Sequence, residues 1–140
     1  MRRLISAALA VALATGAAAQ TRAPPTPPPA PPPPVLDGPP PPYDTQLLRL
    51  AELLGALSYL RDLCGFNDGE DYRGRMAGLL DAEAATGSRR DRIAGSFNRG
   101  WREYELMHRV CTPVSREAVR RAMDEAGTLA RDVGRRFGAS

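Results

Sequence analysis

Proline is confined to one stretch of this chain, and that limits regular structure to the residues that follow it. Residues 24–42 hold 13 of the 14 prolines. Because proline lacks the backbone N–H and fixes φ, this stretch forms neither helix nor sheet, and we predict a disordered polyproline linker over residues 20–43. A ligand for a proline-binding groove is the alternative. Beyond the linker only Pro113 interrupts the chain, so a helical domain can extend over residues 44–138.

The first 19 residues have the three parts of a secretory signal peptide. Met1–Arg3 is basic, Leu4–Ala14 is apolar, and Ala17–Ala19 offers a small-residue cleavage site. The apolar part is shorter than the roughly 20 residues that span a bilayer. We therefore predict a signal peptide over residues 1–19, no transmembrane span after its cleavage, and a periplasmic location. Retention of the segment as an uncleaved anchor is the alternative.

The charge of the secreted chain is close to balanced. All 19 basic residues are Arg, and two of them leave with the signal peptide, so that 17 face 16 acidic residues. A net charge of +1 is not that of a nucleic-acid-binding domain, so we expect no nucleic-acid partner.

Apolar residues recur at helical spacing throughout the domain, which predicts an all-α fold. Four helices are expected, over about residues 45–64, 69–86, 88–111 and from 113 onward. On the third helix the predicted core stripe consists of Ile93, Phe97, Gly100, Tyr104, Met107 and Cys111. Long segments with tight connections favour an antiparallel four-helix bundle.

Turn and capping residues mark the predicted helix ends. Gly65 is expected just past the first helix, where a left-handed conformation is needed. Asn67 with Glu70, or Asp68 with Asp71, has the spacing of a capping box for the second helix. Pro113 suits the first turn of the fourth helix.

Two cysteines, Cys64 and Cys111, are the only ones in the chain. An exported protein with two well-separated cysteines is expected to pair them. In an up-down-up-down bundle the first and third helices end at the same pole, and each cysteine lies at one of those ends. A disulfide therefore fits the predicted topology.

No catalytic or metal signature is recognised. His108 is the only histidine, and with Cys111 paired it has too few partners to complete a metal site. Glu103 and Glu105 lie near Trp101 and Tyr104, but they point to different faces of the helix and cannot act as a carboxylate pair. We expect no catalytic residues, no metal and no cofactor.

The first half of the third helix is rich in arginine and is the predicted interaction surface. Its members could contact an acidic partner or an anionic membrane component. They are Arg89, Arg90, Arg92, Arg99 and Arg102.

Several segments resemble an uncharacterised family of small exported alphaproteobacterial proteins, a domain of unknown function. They are Leu47–Gly65, Tyr72-Arg73, the run SFNRGWR at Ser96–Arg102, and Cys111–Pro113. The resemblance covers most of residues 45–138. It implies pairing of the two cysteines and supplies no activity, substrate or active site.

The leading hypothesis is a periplasmic, non-catalytic interaction or adaptor module of the cell envelope. Its partner would be an envelope protein, and peripheral contact with the membrane or cell wall is compatible with this role. The alternatives are a small cell-wall-acting enzyme and a binder of a small anionic ligand.

Overall fold

A computed structural model describes residues 38–83 and 85–138, which form a bundle of four α-helices. The helices are α1 Asp44–Leu63, α2 Gly69–Ala82, α3 Gly87–Met107 and α4 Pro113–Phe137. No strand occurs among these residues, and the predicted all-α helical bundle is confirmed. None of the four helices is long and apolar enough to cross a membrane. The predicted signal peptide and the predicted linker up to residue 37 lie outside the described residues.

α1 is the central helix, and each of the other three packs against it. α2 touches α3 only lightly, while the α4 backbone approaches neither α2 nor α3 closely. α1 and α3 run in the same direction, because Asp44 at the start of α1 meets Arg89 at the start of α3, and Cys64 meets Cys111 beyond their other ends.

α2 and α4 both run opposite to α1. Tyr43, just before α1, hydrogen-bonds to Glu83 just after α2, and its ring lies 5.0 Å from that of Phe137 at the end of α4. At the other pole, Asp62 near the end of α1 meets Gly69 at the start of α2. The helices therefore alternate up, down, up and down around α1.

The core lies around α1, which is the most buried helix, as predicted. Its leucines pack against apolar residues from the other three helices. The largest fully buried apolar side chains are Leu47, Leu53, Leu57, Leu60 and Ile93.

Two glycines allow α1 and α3 to approach closely. A Cβ at Gly55 would overlap the carbonyl oxygen of Phe97, and a Cβ at Gly100 would overlap that of Glu52. Both glycines are buried. The two helices thus pack backbone against backbone, and any larger residue at either position must separate them.

The end of α1 has the Schellman geometry that Gly65 predicts. Gly65 has a φ of +79° and donates to the carbonyl of Asp62, while Phe66 donates to that of Arg61 at 2.9 Å. These bonds satisfy two of the carbonyls left free at a helix C-terminus.

The predicted capping box at the start of α2 is wrong. Asp68 occupies the N-cap position but makes no side-chain cap, because both its oxygens accept hydrogen bonds from Arg61, at 2.7 and 2.6 Å. The carboxylate of Asp62, on α1, accepts from the Gly69 amide at 2.8 Å instead. The side-chain amide of Asn67 donates to the carbonyl of Gly65. A residue of the neighbouring helix therefore caps α2.

α2 ends at Ala82 rather than at residue 86. Glu83 follows it in a turn and accepts hydrogen bonds from Tyr43 at 3.3 Å and from Arg89 at 2.7 Å. Side chains outside α2, one of them 40 residues away, thus bind the residue at which the helix stops, and the helical pattern alone did not reveal them.

Candidate functional site

A disulfide joins the end of α1 to the connection between α3 and α4. Cys64 and Cys111 are bonded, with their Cα atoms 4.9 Å apart. The predicted pairing is confirmed. The bond fixes residues 108–112 against the central helix at this pole of the domain.

Ser115 organises the same connection from the inside. Its amide donates to Thr112 Oγ1 at 3.1 Å, which forms a capping box at the start of α4. Its hydroxyl lies 3.1 Å from His108 Nδ1 and donates to the Val110 carbonyl at 3.2 Å. Tyr59 of α1 donates to the His108 carbonyl. Four hydrogen bonds and a disulfide therefore hold residues 108–112 in one conformation.

α3 ends at Met107, four residues before the predicted end. His108 is in extended conformation, and its ring stacks on Tyr104 with centroids 5.8 Å apart. At this break in the helix the carbonyl of His108 accepts a hydrogen bond from Tyr59. Thr112 then begins α4, with Pro113 in its first turn as predicted.

Four large apolar side chains around this turn face solvent. Their exposed fractions are 69% for Leu106, 63% for Met107, 66% for Val110 and 68% for Val114. We call these four residues the disulfide-pole patch. The prediction that Met107 belongs to the core stripe is wrong, because α3 stops at this residue. A cluster of exposed apolar residues on a rigid turn is typical of an interaction site.

Three arginines border the patch. Arg102 lies one helical turn before Leu106, and Arg109 and Arg116 lie within or just beyond the turn. All three are exposed, and none has a carboxylate within ion-pair distance in the described part of the chain. The rim of the patch is therefore positively charged.

A groove of about 570 Å³ lies beside the patch, between the end of α3 and the start of α4. Glu117 is the only carboxylate among its lining residues, which also include Tyr104. Hydrogen bonds from Arg120 and then Arg121 hold the pKa of Glu117 below its usual value. A glycosidase needs a protonated acid and a second carboxylate, and this groove offers neither.

No group of three or more His, Cys, Asp or Glu side chains in residues 38–83 and 85–138 could hold a metal ion. Cys111 is bonded to Cys64, so His108 and Cys111 do not form a pair of metal ligands.

Comparison with protein families gives a match over nearly the whole helical domain. The family model described as Protein of unknown function (DUF2385) matches residues 42–137. The chain belongs to this family. No curated protein and no solved structure matches this chain. The DUF2385 match begins just before Tyr43, whose ring already packs on the last turn of α4.

The predicted arginine surface is spread along α3 and is not gathered at one place. Arg89 is only 14% exposed and lies 2.7 Å from Glu83 and 3.6 Å from Asp44. Arg92 also reaches Asp44, at 3.8 Å. The structure thus brings Arg89 and Arg92 together around one carboxylate, near the start of α1.

The other three predicted arginines lie in different settings. Arg99 pairs with Glu52 at 3.2 Å. Arg90 and Arg102 are exposed, and Arg102 borders the disulfide-pole patch. Of the five, Arg102 alone is near the apolar cluster.

Sequence reasoning missed the contact between Ser115 and His108. This contact is not a serine nucleophile with its base, because Ser115 is fully buried and already serves the Thr112 capping box. The run from Thr112 to Ser115 has the spacing of an N-terminal cap, which could have indicated a structural role.

Proposed function

We propose that this DUF2385 protein is a non-catalytic interaction module of the cell envelope, and that it docks a partner protein on the disulfide-pole patch. The observation that carries the proposal is the exposure of Leu106, Met107, Val110 and Val114 on a turn fixed by a disulfide and a buried hydrogen-bond network. The entropic cost of ordering this turn is already met when the domain folds. Binding of a partner therefore does not have to offset that cost.

A periplasmic location is supported by two independent features. The first 19 residues carry the pattern of a signal peptide, and disulfides persist in oxidising compartments. The disulfide is internal to the domain, so it serves the fold rather than a link to another chain.

The chemistry of the patch defines the partner that it fits. Its apolar centre requires an apolar surface on the partner, and the cations Arg102, Arg109 and Arg116 favour acidic residues around that surface. This chemistry supports the disulfide pole, rather than the arginine-rich start of α3, as the proposed working surface.

Site-specific crosslinking in intact cells tests the proposal. A photo-crosslinking amino acid is placed at Val110 and, as a matched control, at Ala77, an exposed residue of α2. We expect one protein to crosslink through Val110 and not through Ala77, at peptides that combine apolar and acidic residues. Val110→Asp with Val114→Asp should abolish the crosslink while the Tm stays unchanged.

Other results would refute the docking proposal. Equal crosslinking from Val110 and Ala77 would mean that the patch is not a specific site. Exclusive recovery of glycan fragments would favour the cell-wall enzyme, and exclusive recovery of lipid would favour a membrane-bound role.

A further inference from the structure

A second surface feature lies on the other side of α1, between α2 and α4. These two helices pack on α1 without approaching each other, and they leave a groove of about 330 Å³. Leu54 and Leu57 of α1 line its floor, and Tyr72 and Leu79 line the α2 wall. This volume is near the lower end of the range for ligand pockets, about 300–1,000 Å³.

Small residues on α4 keep the groove open. The α4 wall is lined by Met123, Ala126, Gly127 and Ala130, so that three of its four residues carry at most one methyl group. Because α2 and α4 do not meet, these small side chains leave the space between them unfilled.

One cation lines the groove, and a second lies next to one of its lining residues. Arg75 lines it from α2, with its guanidinium 5.2 Å from the centre of the Tyr72 ring. Arg131 of α4 folds back over Gly127, and its guanidinium is 3.1 Å from the position of a Cβ there. In the part of the chain that the structure describes, neither guanidinium forms an ion pair, and no acidic residue lines the groove.

Two other arginines of the domain, unlike Arg75 and Arg131, are paired with carboxylates. Arg49 binds Glu125 with two hydrogen bonds, and Arg61 binds Asp68 with two. Apolar walls with unmatched cations on both sides are complementary to a ligand that is apolar along its length and anionic at one end.

The size of the groove limits the shape of that ligand. Leu57 on the floor is only 1% exposed and Leu54 only 7%, so a ligand would contact mainly the more exposed wall residues, Leu79 of α2 with Met123 and Gly127 of α4. An α-helix is about 10–12 Å across with its side chains and is too bulky for a groove of about 330 Å³. A single linear alkyl chain is thin enough for it.

We propose that the groove between α2 and α4 binds one fatty-acid chain, with its carboxylate held by Arg75 and Arg131. The chain would lie between Leu79 of α2 and Met123 of α4 and fill the space beside Gly127. The site is separate from the disulfide-pole patch, so it does not depend on the proposed docking function.

Titration of the secreted chain, residues 20–140, with sodium decanoate tests this site. Calorimetry gives the affinity, and backbone amide NMR shifts give the location. 1-Decanol and decyltrimethylammonium carry the same chain with a neutral and a positive head. We expect decanoate to bind about tenfold more tightly than decanol, with the largest shifts in α2 and α4 around Tyr72 and Ala126.

Variants separate the head group from the chain. Arg75→Gln with Arg131→Gln should remove the tenfold preference for decanoate, whereas Arg90→Gln with Arg136→Gln, two exposed arginines elsewhere, should keep it. Ala130→Leu should fill the groove and weaken all three ligands.

The matched control for the filled groove is Ala77→Leu, at an exposed α2 position that does not line it. Ala77→Leu should leave the affinity for decanoate unchanged.

Several outcomes would overturn the proposal. They are absence of decanoate binding, equal affinity for decanoate and decanol, and amide shifts confined to the disulfide-pole patch. Decyl phosphate binding tenfold more tightly than decanoate would overturn the assignment of a carboxylate head.

Discussion

Gly55 of α1 and Gly100 of α3 each lie against a backbone carbonyl of the opposite helix. Because backbone atoms cannot rotate away as a side chain can, a methyl group at either position must push α1 and α3 apart. The close approach of α1 and α3 therefore depends on two residues without side chains.

We expect Gly55→Ala or Gly100→Ala to lower the free energy of unfolding by about 3 kcal/mol or more, at the upper end of overpacking effects. Gly95→Ala is the matched control on α3, since a Cβ there meets nothing within 4 Å. It should instead stabilise the helix by about 0.5–1 kcal/mol. Urea denaturation measures all three, and a neutral Gly100→Ala would disprove the close packing.

Loss of the disulfide should have a large effect on so small a domain. The cysteines are 47 residues apart in sequence, and a loop of this length predicts about 4 kcal/mol from chain entropy. Cys64→Ala with Cys111→Ala should therefore lower the Tm by about 15–30 °C, measured by calorimetry.

Thiol titration is the control for that experiment. Cys64→Ser alone should leave Cys111 reactive toward thiol reagents. Two free thiols in unreduced, unfolded wild-type protein would mean that the bond does not form.

Ser58 is a buried side chain whose hydroxyl has no hydrogen-bond partner in the described structure. Ser58→Ala should stabilise the domain by about 1 kcal/mol, because it removes an unsatisfied polar group without adding volume. Ser96→Ala is the contrast: Ser96 accepts from Arg99 at 3.2 Å, so its loss should destabilise the domain. A lower denaturation midpoint for Ser58→Ala would show that its hydroxyl has a partner.

Acid should weaken the link between α1 and α4. Hydrogen bonds from Arg49 hold the pKa of Glu125 below its ordinary value of 4.5. A depressed folded-state pKa adds stability above the unfolded value, and this stability is lost as pH falls through the folded pKa. Glu125→Gln should therefore reduce the decline of the Tm below about pH 4.5.

Glu103→Gln is the matched control, because Glu103 forms no ion pair within the described residues. It should leave the pH profile of the Tm unchanged. An identical profile for Glu125→Gln and wild type would contradict the assigned role of Arg49.

The proline-rich segment should be dispensable for folding. The amide of Asp44 bonds to the carbonyl of Pro41 at 3.0 Å, and the family match begins at residue 42. Deletion of residues 24–37 should leave helicity and Tm unchanged, as circular dichroism would show. A fall of several degrees would mean that the segment packs on the domain.

The helices and the disulfide were predictable because their signals are local or depend on few residues. The apolar repeat of α1 and the turn at Gly65 are readable from neighbouring positions. The ends of α2 and α3 were not. They depend on Tyr43 reaching Glu83 and Tyr59 reaching His108, contacts that span 40 and 49 residues.

The same reason accounts for the features of the site that sequence reasoning missed. Met107 has the spacing of a core residue, and only the early end of α3 exposes it. The groove beside Arg75 exists because α2 and α4 do not meet, which no single helix reveals.

The three helices that pack on α1 are held to it to different extents, so they should differ in how readily they unfold locally. α3 is joined to α1 by a covalent bond and by direct backbone packing, so amide hydrogens in these two helices should exchange with solvent only on global unfolding. α2 is the shortest helix and is anchored almost entirely on α1. Amide hydrogens of α2 should therefore exchange with solvent before those of α1 and α3, with the disulfide still intact.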